Sequence, residues 1–284
     1  MYIEANKVEY EVDIDTMLEN IDGYVIDLDG TVYKGKEAID GVMDSIAYVK
    51  SIGKRVVFLS NRGNISRKMC HDKLNGMGID VQEEEILLTS TVTATYLRNH
   101  DEGCQVWVLG EQGLRDELVL AGLKLAEKPE EADWLVITLH ETLTYKELNE
   151  AFRAVRHGAR MIATNADKTF PGDEGDSIDV AGMIGALEST TDQKVEVVIG
   201  KPSILMAEAA LEVIGLPAER CMIIGDSLVS DIGLGKNAGM RTTLVLTGSV
   251  SREKAEGSDV QPDFIWNSLS DLKEILQSGV NRFA

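Results

Sequence analysis

The chain has 284 residues, of which 44% are apolar, and this is enough for one large domain or two smaller ones. Its 48 acidic and 28 basic residues give a formal net charge of -20, which argues against nucleic acid or an anionic membrane as the main partner. The sequence predicts no membrane span, and its polar, acidic first residues predict no signal peptide. An anionic substrate would therefore need local positive charge at its binding site.

The cysteines indicate a reducing compartment. Cys70, Cys104 and Cys221 are odd in number and widely spaced, and no Cys-x-x-Cys pair is present. We expect them to be reduced structural thiols, which are typical of cytoplasmic proteins. The sequence therefore predicts a cytoplasmic protein.

The predicted elements alternate between strands and helices. The first is a short buried strand, YVIDL (24–28), which ends beside Asp27 and Asp29. It is followed by a predicted helix over 40–53, a strand over 55–61 and a helix over 65–77. The middle of the chain contains predicted strands over 106–110, 134–138 and 159–164, with helices over 112–121 and 145–157.

The last third of the chain continues this alternation. VEVVIGKPS (195–203) predicts a strand, a loop and the start of a helix, and further strands are predicted over 221–227, 241–248 and 264–267. Strands that alternate with helices are typical of a parallel sheet covered by helices on both faces. The predicted fold class is therefore α/β, with a doubly wound, Rossmann-like parallel sheet.

Polar residues follow several of the predicted strands. Asp27 ends the first, Ser60 and Asn61 end the second, and Asp226 ends a later one. Ligands of open parallel sheets bind beyond the carboxyl ends of the strands, so these side chains are expected to share one site. Lys201, at the start of a predicted helix, would supply the positive charge that attracts an anion.

These residue types suit phosphoryl transfer. Asp27 and Asp226 could bind one Mg²⁺, which proteins commonly hold through one or two carboxylates, water and a substrate phosphate. A carboxylate beside a phosphorylated substrate can also act as a nucleophile and form an aspartyl-phosphate. The second carboxylate of the pair, Asp29, could protonate the leaving alcohol and then activate water. Asp231, five residues after Asp226, could orient a metal-bound water.

The phosphoryl oxygens would be held by a separate set of groups. Ser60, Asn61, Lys201 and backbone N–H groups could stabilise their charge in the transition state.

Each of these residues also has an ordinary structural interpretation. Asp-x-Asp-Gly after a strand is common in turns, and Ser60, Asn61 or Asp226 can cap a following helix. Lys201 can be a solvated lysine. The combination favours a functional site, because several strand ends carry the groups that one reaction needs.

The motifs together resemble the haloacid dehalogenase (HAD) superfamily. DLDGT (27–31) is similar to the first motif, Ser60 to the second, Lys201 in GKPS to the third and GDSLVSD (225–231) to the fourth. The resemblance implies that Asp27 is the nucleophile, that Asp29 is the general acid and base, and that Mg²⁺ is the cofactor. It also implies that Mg²⁺ is bound by the Asp27 carboxylate, the Asp29 main-chain carbonyl and Asp226, with Asp231 completing the acidic pair.

The position of the insertion resembles the NagD-like, 4-nitrophenylphosphatase-like subfamily, which carries an α/β cap between the second and third motifs. The predicted domains are a core of residues 1–85 and 195–284 and an inserted cap of residues 86–194, with hinges near 83–87 and 191–196. FLSNRGNISR, VWVLGEQGL and ADWLVITLHETLTY are most similar to sugar-phosphate phosphatases of arabinose operons. The sequence departs from the pattern of this subfamily at DVAGMIGALE (179–188), where many relatives have a Pro-Gly-rich turn. This segment is expected near the non-phosphate end of the substrate.

The cap signature supplies candidate substrate contacts. IATNADKTFP (162–171) resembles the Thr-Asn-x-Asp stretch of the subfamily, which makes Thr164, Asn165 and Asp167 candidates. A solvated loop is the alternative for these residues, and His140 is expected to be a surface histidine. The cap itself could be a structural appendage or a dimerisation surface, but an aspartyl-phosphate needs shielding from water, which favours a closing lid.

The resulting prediction is a Mg²⁺-dependent phosphatase that acts on sugar phosphates and 4-nitrophenyl phosphate through an aspartyl-phosphate. The partner is expected to be a small phosphorylated metabolite, with no nucleic acid or membrane partner and with a homodimer possible. A nucleotide or pyridoxal phosphate phosphatase of the same mechanism is an alternative, and a non-catalytic phosphometabolite-binding protein is another. The intact motifs argue against the non-catalytic protein, and Asp29 argues against a dehalogenase. The short segment between Asp27 and Ser60 argues against a mutase with a helical cap at that position.

Overall fold

The structure is a computed structural model of the chain and describes residues 18, 20–172 and 175–280, without the side chains of 171, 172, 279 and 280. Both ends of the predicted core, residues 1–17 and 281–284, lie outside the described residues, as do residues 19, 173 and 174. In the described part of the chain, no helix is both long and apolar enough to cross a membrane.

Two parallel sheets dominate the architecture. The core sheet has six strands in the order β15 (Phe264–Trp266), β14 (Arg241–Val245), β13 (Cys221–Gly225), β1 (Gly23–Asp27), β4 (Arg55–Ser60) and β5 (Ile86–Leu88). The cap sheet has five strands in the order β12 (Val195–Val198), β9 (Arg160–Ala163), β8 (Trp134–Ile137), β6 (Gln105–Leu109) and β7 (Lys124–Leu125). Two antiparallel hairpins are formed by β2 (Tyr33–Lys34) with β3 (Glu37–Ala38) and by β10 (Thr169–Gly172) with β11 (Gly175–Ile178).

Helices connect most of the parallel strands. They are α1 (Val42–Ser51), α2 (Arg67–Gly76), α3 (Thr89–His100), α4 (Gln112–Leu120), α5 (Tyr145–Arg156), α6 (Val180–Thr191), α7 (Ile204–Ile214), α8 (Gly233–Ala238), α9 (Arg252–Glu256) and α10 (Asp271–Val280). A π-helical turn, Leu228–Ile232, precedes α8.

The core sheet is buried on both faces. Every residue of β1 is buried, and alternate residues point to opposite faces. Val25 packs in a cluster with Met206 of α7, whereas Ile26 packs in a different cluster with Ile46 of α1. Helices thus cover both faces, which explains the continuous apolar strand sequences. The predicted doubly wound α/β fold is confirmed.

Local capping sets the helix starts. The predicted helix over 65–77 begins at Arg67, because the Ser66 side chain accepts a hydrogen bond from Met69 N at 3.2 Å. Helix α5 begins after Thr144, which forms a capping box with Glu147.

Strand pairing differs from the predicted domain boundaries at both ends of the insertion. Residues 86–88 were assigned to the cap, but β5 pairs with β4 in the core sheet. Residues 195–198 were assigned to the core, but β12 pairs with β9 in the cap sheet. The polar linkers near these boundaries marked the insertion, but the sequence of a short apolar strand does not specify which sheet it joins.

Candidate active site

The carboxyl ends of the two sheets face one cavity of about 590 Å³. Strands β1, β4 and β13 of the core sheet and strands β8, β9 and β12 of the cap sheet end beside it. Nine residues predicted for the site line this cavity together: Asp27, Asp29, Ser60, Asn61, Asn165, Asp167, Lys201, Asp226 and Asp231. Thr164 is the exception among the predicted residues, since it is absent from the cavity lining.

Asp27 lies at the end of β1 and is only 6% exposed. One carboxylate oxygen accepts a hydrogen bond from Thr31 Oγ1 at 3.1 Å, and the other accepts one from Lys201 Nζ at 2.5 Å. Burial raises the pKa of Asp27 well above its usual value, and the positive charge of Lys201 only partly opposes this. The side chain is thus fixed in position at the base of the cavity.

Lys201 is a buried cation and not a solvated lysine. Its ammonium group donates to Asp27 and, at 2.6 Å, to Asp231. Burial alone would lower the pKa of Lys201, but the charges of Asp231 and Asp27 outweigh it and raise the pKa. Lys201 follows β12 of the cap sheet, whereas the predicted boundaries assigned that strand to the core.

The acidic residues fit a divalent cation. Asp27, Asp226 and Asp231 each offer a carboxylate oxygen, and these oxygens lie within 4.8 Å of one another. Burial and the charge of Asp231 raise the pKa of Asp226 to about 6, which indicates repulsion that a cation would relieve. Oxygen ligands of this kind are those that Mg²⁺ prefers.

Glycines make room for the Asp226 side chain. A Cβ atom on Gly30 would approach Asp226 Oδ2 to 2.5 Å, and Gly30 also has a φ of 84°, which favours glycine. A Cβ on Gly248 would clash with the same carboxylate. The Gly30 of the DLDGT motif is therefore required both by its backbone conformation and by its contact with the acidic group.

Asp29 has surroundings different from those of Asp27. Arg62 donates to both of its oxygens, through Nε and Nη2 at 3.0 Å each, and Tyr33 OH donates at 3.1 Å. Burial would raise the pKa of Asp29, but the hydrogen bonds and charge of Arg62 outweigh it and lower the pKa. These three hydrogen bonds thus fix the orientation of Asp29 at the cavity wall.

Asn61 connects the core to the cap and to Lys201. Its side-chain oxygen accepts from Lys201 N at 2.8 Å, and its Nδ2 donates to Asp167 at 3.0 Å. Its main-chain oxygen accepts from Asn165 Nδ2 at 3.0 Å and from Thr89 Oγ1 at 2.9 Å. The neighbouring Ser60 Oγ accepts from Arg62 N at 3.2 Å.

The three cap residues proposed as substrate contacts lie in different environments. Thr164 is fully buried and donates to Thr138 Oγ1 at 2.9 Å, so it packs the cap sheet. Asn165 is buried and uses its amide on Asn61, whereas Asp167 is half-buried at the cavity wall. His140 is also buried, which contradicts the predicted surface position, and it contacts Glu147 at 3.2 Å.

Arg62, Tyr33 and Phe170 line the cavity although none was named as a site residue, and Asp179 lines it as well. Arg62 directly follows Ser60 and Asn61 in the sequence, and this position next to two predicted site residues could have indicated it. Asp179 begins the segment that was expected near the substrate, and its carboxylate caps α6 by accepting from Val180 N at 2.7 Å.

The cavity and its motifs have counterparts in known proteins. Family models described as haloacid dehalogenase-like hydrolase and HAD-hydrolase-like match residues 24–124 and 198–272. The chain is 54% identical over 258 residues to sugar-phosphatase AraL of Bacillus subtilis, covering 91% of this chain and 94% of that protein. The chain belongs to the haloacid dehalogenase-like hydrolases.

Two further relatives place this HAD hydrolase among phosphomonoesterases. It is 33% identical to the 5'-nucleotidase YutF of Bacillus subtilis, covering 88% of this chain and 96% of that protein. The p-nitrophenyl phosphatase of Archaeoglobus fulgidus has a solved structure that matches with a TM-score of 0.85 at 35% identity, covering 89% of this chain and 98% of that one. The predicted family, subfamily and enzyme class are confirmed.

Proposed function

We propose that this HAD hydrolase is a Mg²⁺-dependent phosphatase that hydrolyses sugar phosphates and 4-nitrophenyl phosphate through a phosphoryl group on Asp27. The observation that carries the proposal is the buried Asp27 carboxylate, fixed by Lys201 and Thr31 at the base of a cavity that also contains Asp29. A nucleophile held in this way needs little reorganisation before attack.

In the first half-reaction, an Asp27 oxygen bonds to phosphorus while the bond from phosphorus to the sugar oxygen breaks. The leaving oxygen takes a proton from Asp29, which acquires it when the negatively charged ester binds beside the carboxylate. In the second half-reaction, water bonds to phosphorus, the bond to Asp27 breaks, and Asp29 takes the proton of the water. Inorganic phosphate and the free Asp27 carboxylate are the products.

Mg²⁺ would be held by Asp27, Asp226 and the Asp29 main-chain carbonyl, with Asp231 beside them. When bound, the ion would offset the negative charge of the carboxylates and of the phosphoryl group. Ser60, Asn61 and Lys201 would hold the phosphoryl oxygens. Lys201 supports this role because its charge is buried next to the nucleophile.

On the cap side, we propose Asp167 as the residue that contacts the sugar and Asn165 as a residue that positions Asn61. The half-buried position of Asp167 at the cavity wall supports the first role. The hydrogen bond from Asn165 to Asn61 supports the second. Thr164 would contribute through packing.

A panel of phosphorylated metabolites tests the proposed function. We expect phosphate release from pentose and hexose phosphates and from 4-nitrophenyl phosphate, and loss of this activity after EDTA treatment. Nucleotides and pyridoxal phosphate belong in the panel because a relative at 33% identity is named a 5'-nucleotidase. Full activity after exhaustive metal removal would contradict the role of Mg²⁺.

We further propose a cytoplasmic location and a homodimer. The three free, buried cysteines support a reducing compartment. Exposed apolar side chains at the end of α4, Val119 and Leu120, support self-association through the cap. Light scattering coupled to size-exclusion chromatography tests the oligomeric state, and fluorescence microscopy of a tagged chain tests the location.

A further inference from the structure

Arg62 links the general acid and base to the phosphate-binding loop. Its guanidinium group binds both oxygens of Asp29 in the two-pronged geometry that suits a carboxylate, and its backbone N–H donates to Ser60 Oγ. The position of the Asp29 carboxylate is therefore coupled, through one residue, to the position of Ser60.

A third donor fixes the rotation of the same carboxylate. Tyr33 is fully buried, and its hydroxyl donates to the Asp29 oxygen that also accepts from Arg62 Nε. The Lys73 ammonium lies 3.5 Å from the centre of the Tyr33 ring and packs against its face. The donors on Asp29 thus come from two elements, the loop after β4 and the start of β2.

We propose that Arg62 is a positioning residue that holds the Asp29 carboxylate in place for hydrolysis of the phosphoenzyme. This inference rests on the proposed function. After the first half-reaction Asp29 has given its proton to the leaving alcohol, so it is the carboxylate form that must meet the attacking water. The contact of both Asp29 oxygens with the guanidinium group of Arg62 holds the side chain in one orientation for that step.

The second half-reaction therefore depends on Arg62 more than the first does. The water loses a proton to Asp29 as its oxygen bonds to phosphorus and the bond to Asp27 breaks. A carboxylate that rotates freely is less often within reach of that proton, so the phosphoenzyme of an Arg62 variant should persist. With 4-nitrophenyl phosphate, the first half-reaction should change little because 4-nitrophenolate leaves without a proton.

The test is rapid-quench kinetics on full-length Arg62→Lys and Arg62→Gln with 4-nitrophenyl phosphate. We expect a burst of up to one 4-nitrophenolate per active site, followed by a steady state at least about 10-fold slower than wild type, since a misplaced base loses part of its usual 10²–10⁴-fold contribution. Mass spectrometry of the quenched protein should find more phosphoryl group on Asp27 than in wild type. Guanidinium ion added to Arg62→Ala should restore part of the steady-state rate, because the site is partly open to solvent.

Two comparisons separate positioning from a structural effect. Arg98→Ala, which removes an exposed arginine of α3, should leave burst and steady state unchanged. In an Asp29→Asn background, Arg62→Lys should slow phosphoenzyme hydrolysis no further, because the group that it positions is already absent. Additive effects of the two substitutions would overturn the inference.

Other results would also overturn it. Equal slowing of phosphoenzyme formation and hydrolysis would make Arg62 a structural residue, and a raised KM without phosphoenzyme accumulation would make it a substrate-binding residue. If Asp29→Asn accumulates phosphoenzyme as expected but the Arg62 variants do not, only this inference fails. If no phosphoenzyme forms in Asp29→Asn either, the proposed function fails with it.

Discussion

Two aspartates only two residues apart occupy environments that suit different tasks. Asp27 is buried against a lysine, and burial raises its pKa, while Asp29 is held by an arginine that lowers its pKa. The difference arises because the two side chains meet different neighbours: Lys201, which follows the cap strand β12, contacts Asp27, and Arg62, from the loop after β4, contacts Asp29. Sequence spacing thus places two carboxylates in one cavity, and their partners distinguish their roles.

Substitution of each aspartate should separate the two half-reactions. Asp27→Asn removes the nucleophile, so activity should fall to near background and no phosphoenzyme should form. Asp29→Asn should lower turnover by about 10²–10⁴-fold, the usual contribution of a general acid or base, and should show a burst with 4-nitrophenyl phosphate. Rapid-quench kinetics with mass spectrometry checks both, and phosphoryl transfer to Asp29 would contradict the assigned roles.

Removal of Lys201 should lower both stability and activity. Lys201→Met leaves the buried carboxylates of Asp27 and Asp231 without their cation, and breaking a buried ion pair in this way typically costs about 3–5 kcal/mol. Lys236→Met is the matched control, since Lys236 pairs with Asp263 at the surface, where such pairs contribute about 0–1 kcal/mol. Urea unfolding in EDTA compares the two variants, and equal losses of stability would contradict the assigned burial.

The site forms because the carboxyl ends of two parallel sheets face each other. The core strands carry Asp27, Ser60 and Asp226, and the cap strands lead into Asn165 and Lys201. The cap also fits closely against the core at Gly63, where a Cβ atom would clash with Thr164 and Thr138. The two sheets therefore both contribute residues to the lining of one cavity.

Two cap substitutions should have different effects. Asn165→Ala removes the hydrogen bond to the main chain of Asn61, so turnover of sugar phosphates and of 4-nitrophenyl phosphate should fall by similar factors. Asp167→Asn retains an acceptor for Asn61 but removes the charge facing the cavity, so it should change the ranking of sugar phosphates more than turnover of 4-nitrophenyl phosphate. Turnover of a panel of sugar phosphates and of 4-nitrophenyl phosphate by both variants tests this difference. Identical substrate profiles of the two variants would mean that both residues act only on Asn61.

The sequence predicted the order of elements and the core motifs because both depend on local patterns. The carboxyl ends of parallel strands lie at the same edge of a sheet. Polar residues at the ends of three apolar strands, Asp27, Ser60 and Asp226, are therefore expected to lie close together. The assignment of β12 to the cap sheet could not be predicted, since pairing depends on long-range contacts. The partner of Asp29 was missed for the same reason, because nothing in the spacing shows that Arg62 turns towards it.

The whole chain carries a net charge of -20, and acidic residues also outnumber basic ones in the lining of the cavity. Six aspartates line it against three cations, Lys34, Arg62 and Lys201. Two of these cations are already engaged by carboxylates, Arg62 by Asp29 and Lys201 by Asp27 and Asp231. On this charge balance, a phosphate ester would be favoured by a further cation such as the proposed Mg²⁺, and binding of that cation would depend on pH.

Mg²⁺ should stabilise the protein more at pH 7.5 than at pH 5. Burial and the charge of Asp231 raise the pKa of Asp226 to about 6, above the value of about 4 for an unfolded aspartate. Between these values the metal-free folded protein holds a proton that the unfolded chain has lost, so its stability falls as the pH rises through this window. Bound Mg²⁺ replaces that proton and must compete with it at pH 5 but not at pH 7.5. Thermal unfolding with Mg²⁺ or EDTA at both pH values measures the difference, and Asp226→Asn should abolish most of it. An equal shift in Tm at the two pH values would show that Asp226 does not bind the ion.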